Sequence, residues 1–155
     1  MKKDLLLSDE SATQAFAETL AAQPAIGQAF ITLRGNLGAG KTTLVRHLLR
    51  ALGVHGRIKS PSYAVVETYE LPAFQVWHLD FFRFTDPREW LDAGLRDIFA
   101  SPGLKLVEWP EKAGPSLPLA DLDIALQVLP DGSRALTLHA RTDTGAALLQ
   151  AYQPV

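Results

Sequence analysis

The chain has 155 residues, of which 47% are hydrophobic and 21% charged; that balance excludes a disordered chain, and this length is expected to form one domain, 1–155, whose core needs no staples. Cysteine is absent, which excludes disulfide scaffolds, thiolate-held zinc and thiol nucleophiles. Lys and Arg number 15 against 17 Asp and Glu, a formal net charge of −2 that argues against a strongly basic nucleic-acid binder.

No apolar run approaches the roughly 18 residues that cross a bilayer, and the run Leu5–Leu7 is too short for a signal-peptide core. The expectation is a soluble, cytoplasmic protein without membrane contact.

In chain order, Ser8 to Ala22 reads as a helix, capped by Ser8 or Asp9, with Phe16 and Leu20 on one face. Ala29–Arg34 is rich in β-branched and aromatic residues and reads as a strand. The glycine-rich loop Gly35–Gly40 follows, then a helix from Lys41 to Leu52 with Leu44, Leu48 and Leu52 along one stripe and Gly53 as its stop. Val65–Glu70 and Phe74–Asp80 are further strands. Pro87 to Ala100 reads as helix in two pieces, broken near Gly94. Leu104–Trp109 is a strand stopped by Pro110. Leu122–Leu129 and Ala135–Ala140 alternate apolar and polar residues across the turn Pro130–Ser133, the signature of a hairpin. Thr144 to Tyr152 reads as a short terminal helix. Strands alternating with helices, then a hairpin, predict an α/β fold of the P-loop type: three layers around a mostly parallel sheet with antiparallel edge strands.

The strongest motif is Gly35-Asn36-Leu37-Gly38-Ala39-Gly40-Lys41-Thr42, a match to G-x-x-x-x-G-K-[ST] placed between a predicted strand and a predicted helix. The glycines let successive backbone N–H groups of Gly38, Ala39 and Gly40 turn toward one anion, and the helix N-terminus adds its dipole. Lys41 supplies a point charge for the β- and γ-phosphates, and Thr42 a hydroxyl for magnesium. Thr43 is placed to meet the α-phosphate, or serves only as a second hydroxyl at the helix start. The cofactors expected are therefore ATP and Mg2+.

Such a site needs a carboxylate at the end of a buried strand, and two strands end in one: His78-Leu79-Asp80 and Leu106-Val107-Glu108. Spacing does not divide the work between them; one holds magnesium and the other orients the attacking water or positions a phosphate-sensing segment. Lys41, Asp80 and Glu108 are the candidate catalytic residues. His78 shares a face with Asp80 by the period of two along a strand. It reads as a satisfied structural histidine, with a hydrogen bond near the site as the alternative. Lys59–Tyr63 is an ordered loop that resembles a nucleotide switch or a plain turn, and Arg83 is a possible charge stabiliser.

Together, Leu33–Thr43, Ser60-Pro61-Ser62-Tyr63, His78-Leu79-Asp80-Phe81-Phe82-Arg83 and Glu108-Trp109-Pro110-Glu111 resemble the TsaE (YjeE) family of small bacterial ATPases, over nearly the whole chain and in the same order. The resemblance implies ATP and magnesium binding in support of threonylcarbamoyladenosine formation at position 37 of tRNAs that read codons starting with A. The implied partners are the TsaD and TsaB proteins, with tRNA met only through their complex. It further implies that Thr42 and Glu108 ligate magnesium, that Asp80 lies by the phosphates, and that Ser60 to Tyr63 act as a switch-like loop. By the same resemblance Ser11 to Thr13 lie near the base, and Glu111 and either Ser133 or Arg134 reach the nucleotide. Two positions depart from the family pattern: Ser62 stands where Thr is frequent, and Phe82 where Tyr is usual, so any hydrogen bond from that phenol is absent here.

Two rival readings stay open at this level. A small-molecule kinase would need an arginine-bearing lid, and 82–101 holds only the dispersed Arg83, Arg88 and Arg96. An ATP-dependent interaction module would bind without significant turnover. A guanine-reading N-K-x-D segment is missing, which excludes an ordinary GTPase. The expected reaction is in-line attack of water on the γ-phosphate, slow in the isolated chain and completed by docking, since no glutamine is placed to orient the water. Trp90 and Phe99 read as core rather than as a docking face.

Overall fold

The computed structural model describes residues 1–152. Seven strands form one sheet: β1 (Lys2–Leu7), β2 (Phe30–Arg34), β3 (Val66–Glu70), β4 (Gln75–Asp80), β5 (Leu104–Glu108), β6 (Leu122–Val128) and β7 (Arg134–Ala140). Their spatial order is β1-β7-β6-β2-β5-β4-β3. The middle is parallel, with β2 paired to both β5 and β6 and β4 paired to β5. The outer pairings β1·β7, β6·β7 and β3·β4 are antiparallel; antiparallel edges and the β6–β7 hairpin are what the sequence predicts. All five residues of β5 are buried, which a strand covered on both faces requires.

Among the described residues five α-helices complete the layers: α1 (Glu10–Ala21), α2 (Lys41–Ala51), α3 (Arg88–Asp92), α4 (Arg96–Ala100) and α5 (Asp143–Leu149). Asp9 caps α1 through Oδ1, which accepts from the Ala12 N–H at 2.8 Å. Alternation along the strands sends neighbours into different cores. Ile31 and Leu33 join α1, α2 and α5 in the larger cluster, with Phe16, Leu44, Leu48 and Leu149. Phe30, Leu79 and Val107 point the other way, into a cluster closed by Phe81, Phe84 and Trp90. Leu44, Val45, Leu48 and Leu49 of α2 are all 2% exposed or less, each contributing roughly 1.5–3 kcal/mol by leaving water. That stripe anchors α2 rigidly beneath the loop that precedes it.

Trp90 is 1% exposed and donates its indole N–H to the Ala113 carbonyl and Ser116 Oγ, both at 3.1 Å. Phe99 packs edge-on against it with ring centroids 5.7 Å apart. Both therefore serve the core. Gly94 separates α3 from α4 at φ 75°. Among the described residues no helix is long and apolar enough to cross a membrane.

One strand escapes the sequence reading. Lys2–Leu7 forms β1 by pairing with β7, Lys2 opposite His139 and Leu7 opposite Arg134. Its three consecutive leucines hide the alternation, because Leu6 faces out at 63% exposure while Leu7 is buried. The hairpin β6–β7 consequently lies inside the sheet, with β1 outside it.

α5 comes very near the chain entering β6 at Gly145, where a Cβ would stand 1.8 Å from the Asp121 carbonyl oxygen. Backbone cannot yield there. Gly145→Ala is expected to destabilise the protein by about 2–3 kcal/mol, measured as a lowered denaturation midpoint with an unchanged m-value.

Candidate functional site

Three parallel strands bring the chemistry to one edge of the sheet. β2, β5 and β4 are adjacent, so their C-terminal ends lie side by side: Leu33 is in register with Glu108, and Glu108 with Asp80. The loop 35–40 leaves β2 there and turns into α2. Gly40 makes that turn with φ 104°, a left-handed conformation that a side chain would oppose, and a Cβ would meet Arg134 Nε at 2.7 Å. The result is a cleft of about 430 Å³ lined by Gly38, Ala39, Gly40, Lys41, Thr42 and Thr43 together with Asp80 and Glu108. Leu37, Ser62, Tyr63, Phe82, Arg83, Trp109 and Arg134 form the remaining wall. A groove of equal volume between α1 and α2, lined by Gln14, Glu18, His47 and Arg50, has no glycine-rich turn or helix N-terminus in its lining.

Within the cleft, Thr42 Oγ1 donates to the Glu108 carboxylate, 3.1 Å from Oε1 and 3.3 Å from Oε2. His78 Nε2 lies 2.6 Å from Oε2 of the same carboxylate. Its other ring nitrogen, Nδ1, is buried without a hydrogen-bond partner among the described residues. Of the two readings open for His78, the hydrogen bond near the site is the one found, and the satisfied structural histidine is corrected, because Nδ1 has no partner among the described residues. Asp80 accepts the Phe82 N–H on Oδ1 at 2.8 Å. Burial pushes the Asp80 carboxyl up from its ordinary value, and the neighbouring Glu108 adds to this, against the Phe82 N–H, His78 and Lys41.

Lys41 is only 5% exposed. Its ammonium donates to the Gly35 carbonyl and lies 3.7 Å from the centroid of the Trp109 ring. Burial lowers its pKa despite the opposing field of Glu108, Glu111 and Asp80. Among the described residues no carboxylate forms an ion pair with it. A buried cation without a paired anion, facing a glycine-rich turn and a helix N-terminus, fits phosphate. The metal side also fits. A hydroxyl and a carboxylate in contact suit a hard cation that takes its remaining ligands from water and phosphate oxygens. Among the described residues no group of three or more His, Cys, Asp or Glu could hold a metal by itself.

The loop 60–65 closes one side of the cleft. Ser62 and Tyr63 line it, whereas Ser60 bonds Ser62 Oγ to Oγ at 2.6 Å. Arg83 donates from Nε to the Ser62 carbonyl at 2.9 Å, with its guanidinium 4.1 Å from the Tyr63 ring centroid. Val65 holds φ 70°, a strained state for a β-branched residue, and its carbonyl accepts the Asp80 N–H at 2.9 Å. Phe82 packs on Trp109 with centroids 5.1 Å apart, which uses the ring where a phenol is usual in the family pattern.

Three expected nucleotide contacts fall outside the cleft. Ser11 is exposed on α1; of that segment it is Thr13 that lines a small adjoining cavity of about 120 Å³, with Glu10, Gly40, Thr43 and Arg134. Glu111 stands 3.6 Å from Arg34 and lines a separate cavity with Thr32 and Asp123. Ser133 is buried and donates to Asp131 Oδ1 at 2.5 Å. Of the pair Ser133 and Arg134, the arginine reaches the loop, donating from Nε to the Ala39 carbonyl at 2.8 Å. Trp109 lines the cleft with no role assigned to it from the sequence; its place between Glu108 and Pro110 is the signal, since Pro110 cannot continue the strand and the chain turns off the sheet there. Of the three arginines in 82–101, only Arg83 lines the cleft, and Arg96 lines a different cavity beside Trp90 and Phe99.

Residues 7–136 match the family model described as threonylcarbamoyl adenosine biosynthesis protein TsaE. The chain is 37% identical over 137 residues to the tRNA threonylcarbamoyladenosine biosynthesis protein TsaE of Haemophilus influenzae, covering 88% of this chain and 86% of that one. It is 34% identical over 128 residues to the protein of the same name from Bacillus subtilis, covering 83% and 79%. The fold is similar to the crystal structure of Bacillus subtilis YdiB, with a TM-score of 0.79 and 26% identity over 97% of this chain and 93% of that one. With its glycine-rich loop, its two strand-end carboxylates and these matches in agreement, the chain belongs to the TsaE family.

Proposed function

We propose that this chain is a magnesium-dependent ATPase that supports threonylcarbamoyladenosine modification of tRNA, acting with the TsaD–TsaB transfer complex. The observation that carries the reading is the contact of Thr42 Oγ1 with the Glu108 carboxylate, beside the buried, unpaired Lys41 ammonium. In this reading the loop amides and Lys41 bind the β- and γ-phosphates, and Thr42 and Glu108 hold magnesium. When bound, the metal neutralises phosphate charge during transfer to water. Asp80 is the residue left to orient the attacking water; the burial that raises its pKa also makes it a better proton acceptor.

Each arginine at the cleft is already engaged, Arg83 with Ser62 and Arg134 with Ala39. Arginines that stabilise the transferring phosphoryl group are worth about 10³–10⁵ in rate. The isolated protein is therefore expected to turn over slowly, and a docked partner to speed it. The role of Arg83 also weighs against a small-molecule kinase, because it is the one arginine of 82–101 at the cleft. An ATP-dependent interaction module is the second reading, favoured by the same engaged arginines. Tight ATP-dependent association with the TsaD–TsaB complex, without faster turnover, would select it.

Lys41→Ala should lower ATP turnover by about 10²–10³-fold and abolish support for tRNA modification in a reconstituted reaction, while circular dichroism and the melting temperature stay near the parent's. Glu108→Ala should lose the magnesium dependence of nucleotide binding; an unchanged metal titration would move the metal role to Asp80. Adding the transfer complex should raise turnover well above that of the isolated chain, and fast turnover by the chain alone would refute partner dependence.

A further inference from the structure

The two carboxylates of the cleft are neighbours in register, Asp80 opposite Glu108, and like charges so placed push each other away. Each is restrained by a separate donor. Asp80 has the Phe82 backbone N–H, fixed by the chain itself. Glu108 has Thr42 on the cleft side and, beneath it, the imidazole of His78. His78 and Glu108 are 1% and 2% exposed, so this second contact is shielded from competing water.

An ionised carboxylate only accepts hydrogen bonds, so the 2.6 Å contact requires the proton on His78 Nε2. In a neutral ring that leaves Nδ1, the buried nitrogen without a partner among the described residues, as a bare lone pair. An unpaired acceptor is better tolerated in protein interiors than an unpaired N–H. Both ring nitrogens thus point to the same tautomer. The position of the ring follows from the sheet: His78 lies two residues before Asp80 on the same face of β4 and opposite Leu106, two residues before Glu108 on β5.

We propose that His78 is a positioning residue whose Nε2–H tautomer holds Glu108 Oε2 and thereby keeps Oε1 against Thr42 Oγ1. The functional consequence rests on the reading above that Thr42 and Glu108 form the magnesium side of the site. A histidine holding a carboxylate ligand acts as an outer-shell partner, and losing such a partner costs about 10–100-fold in metal affinity. The effect is confined to the metal, because His78 does not line the cleft.

The test measures the Mg2+ concentration that half-saturates ATP binding to the intact protein, with ATP affinity in EDTA as the control. His78→Leu is expected to raise that concentration about 10–100-fold and to leave the EDTA affinity unchanged. His78→Gln, whose amide N–H can replace Nε2–H, should recover most of the loss. A His78→Leu value within about twofold of the parent, or equal loss in both variants, overturns the positioning role. Glu108→Gln runs in parallel: if it alone is shifted, His78 has no positioning role, and if it too is unshifted, the magnesium reading itself fails. Nitrogen-15 NMR of the parent protein decides the tautomer whatever the variants do, and still applies if His78→Leu does not fold. A proton on Nε2 is expected, and a ring protonated on Nδ1 alone overturns the proposal.

Discussion

Glu108 accepts hydrogen bonds from Thr42 and His78 at once, and both contacts exist only because β2, β5 and β4 run parallel and adjacent. In a parallel trio the C-terminal ends meet on one edge, so the loop that leaves β2, the acid that ends β5 and the acid that ends β4 share one cleft. Reversing β4 would carry His78 and Asp80 away from that edge. The buried stripe of α2 then determines where Lys41 and Thr42 stand relative to those acids.

Burial gives the site its electrostatic character. Removed from water, Lys41 loses affinity for its proton, and Asp80 gains affinity for one. Neither side chain is paired in an ion bridge among the described residues, and His78 bonds Oε2 of Glu108. In such a setting each charge acts more strongly on a bound anion than it would at the surface, because little solvent screens it. The same arrangement is costly for the protein alone, which is why buried charges that stay unpaired tend to mark function rather than stability.

The rim is built differently. Val65 sits in a strained left-handed conformation between the loop 60–65 and β3, and its carbonyl holds the Asp80 backbone N–H. A shift in that loop therefore reaches Asp80 through a main-chain hydrogen bond. Arg83 ties the same loop from the other side through Ser62 and Tyr63. Tyr63 at 83% exposure and Leu37 at 70% leave the mouth of the cleft with apolar surface turned to solvent.

What the sequence determined by itself was local or periodic. The loop 35–42 is legible because only glycines permit its backbone, and the strands ending in Asp80 and Glu108 because apolar runs stop at an acid. The helices follow from stripes, caps and the break at Gly94. The tertiary structure alone decided what depends on partners distant in the chain. Lys2–Leu7 becomes a strand only because β7, far away in the chain, offers it a ladder, Lys2 opposite His139 and Leu7 opposite Arg134, and no local pattern encodes that. Arg134, not Ser133, meets the loop because the hairpin register turns it toward Ala39. His78 is bonded to Glu108 because parallel pairing of β4 and β5 sets the two on one face, a relation that spacing along a single strand cannot express. Periodicity tells which face a side chain takes; only strand pairing tells what it finds there.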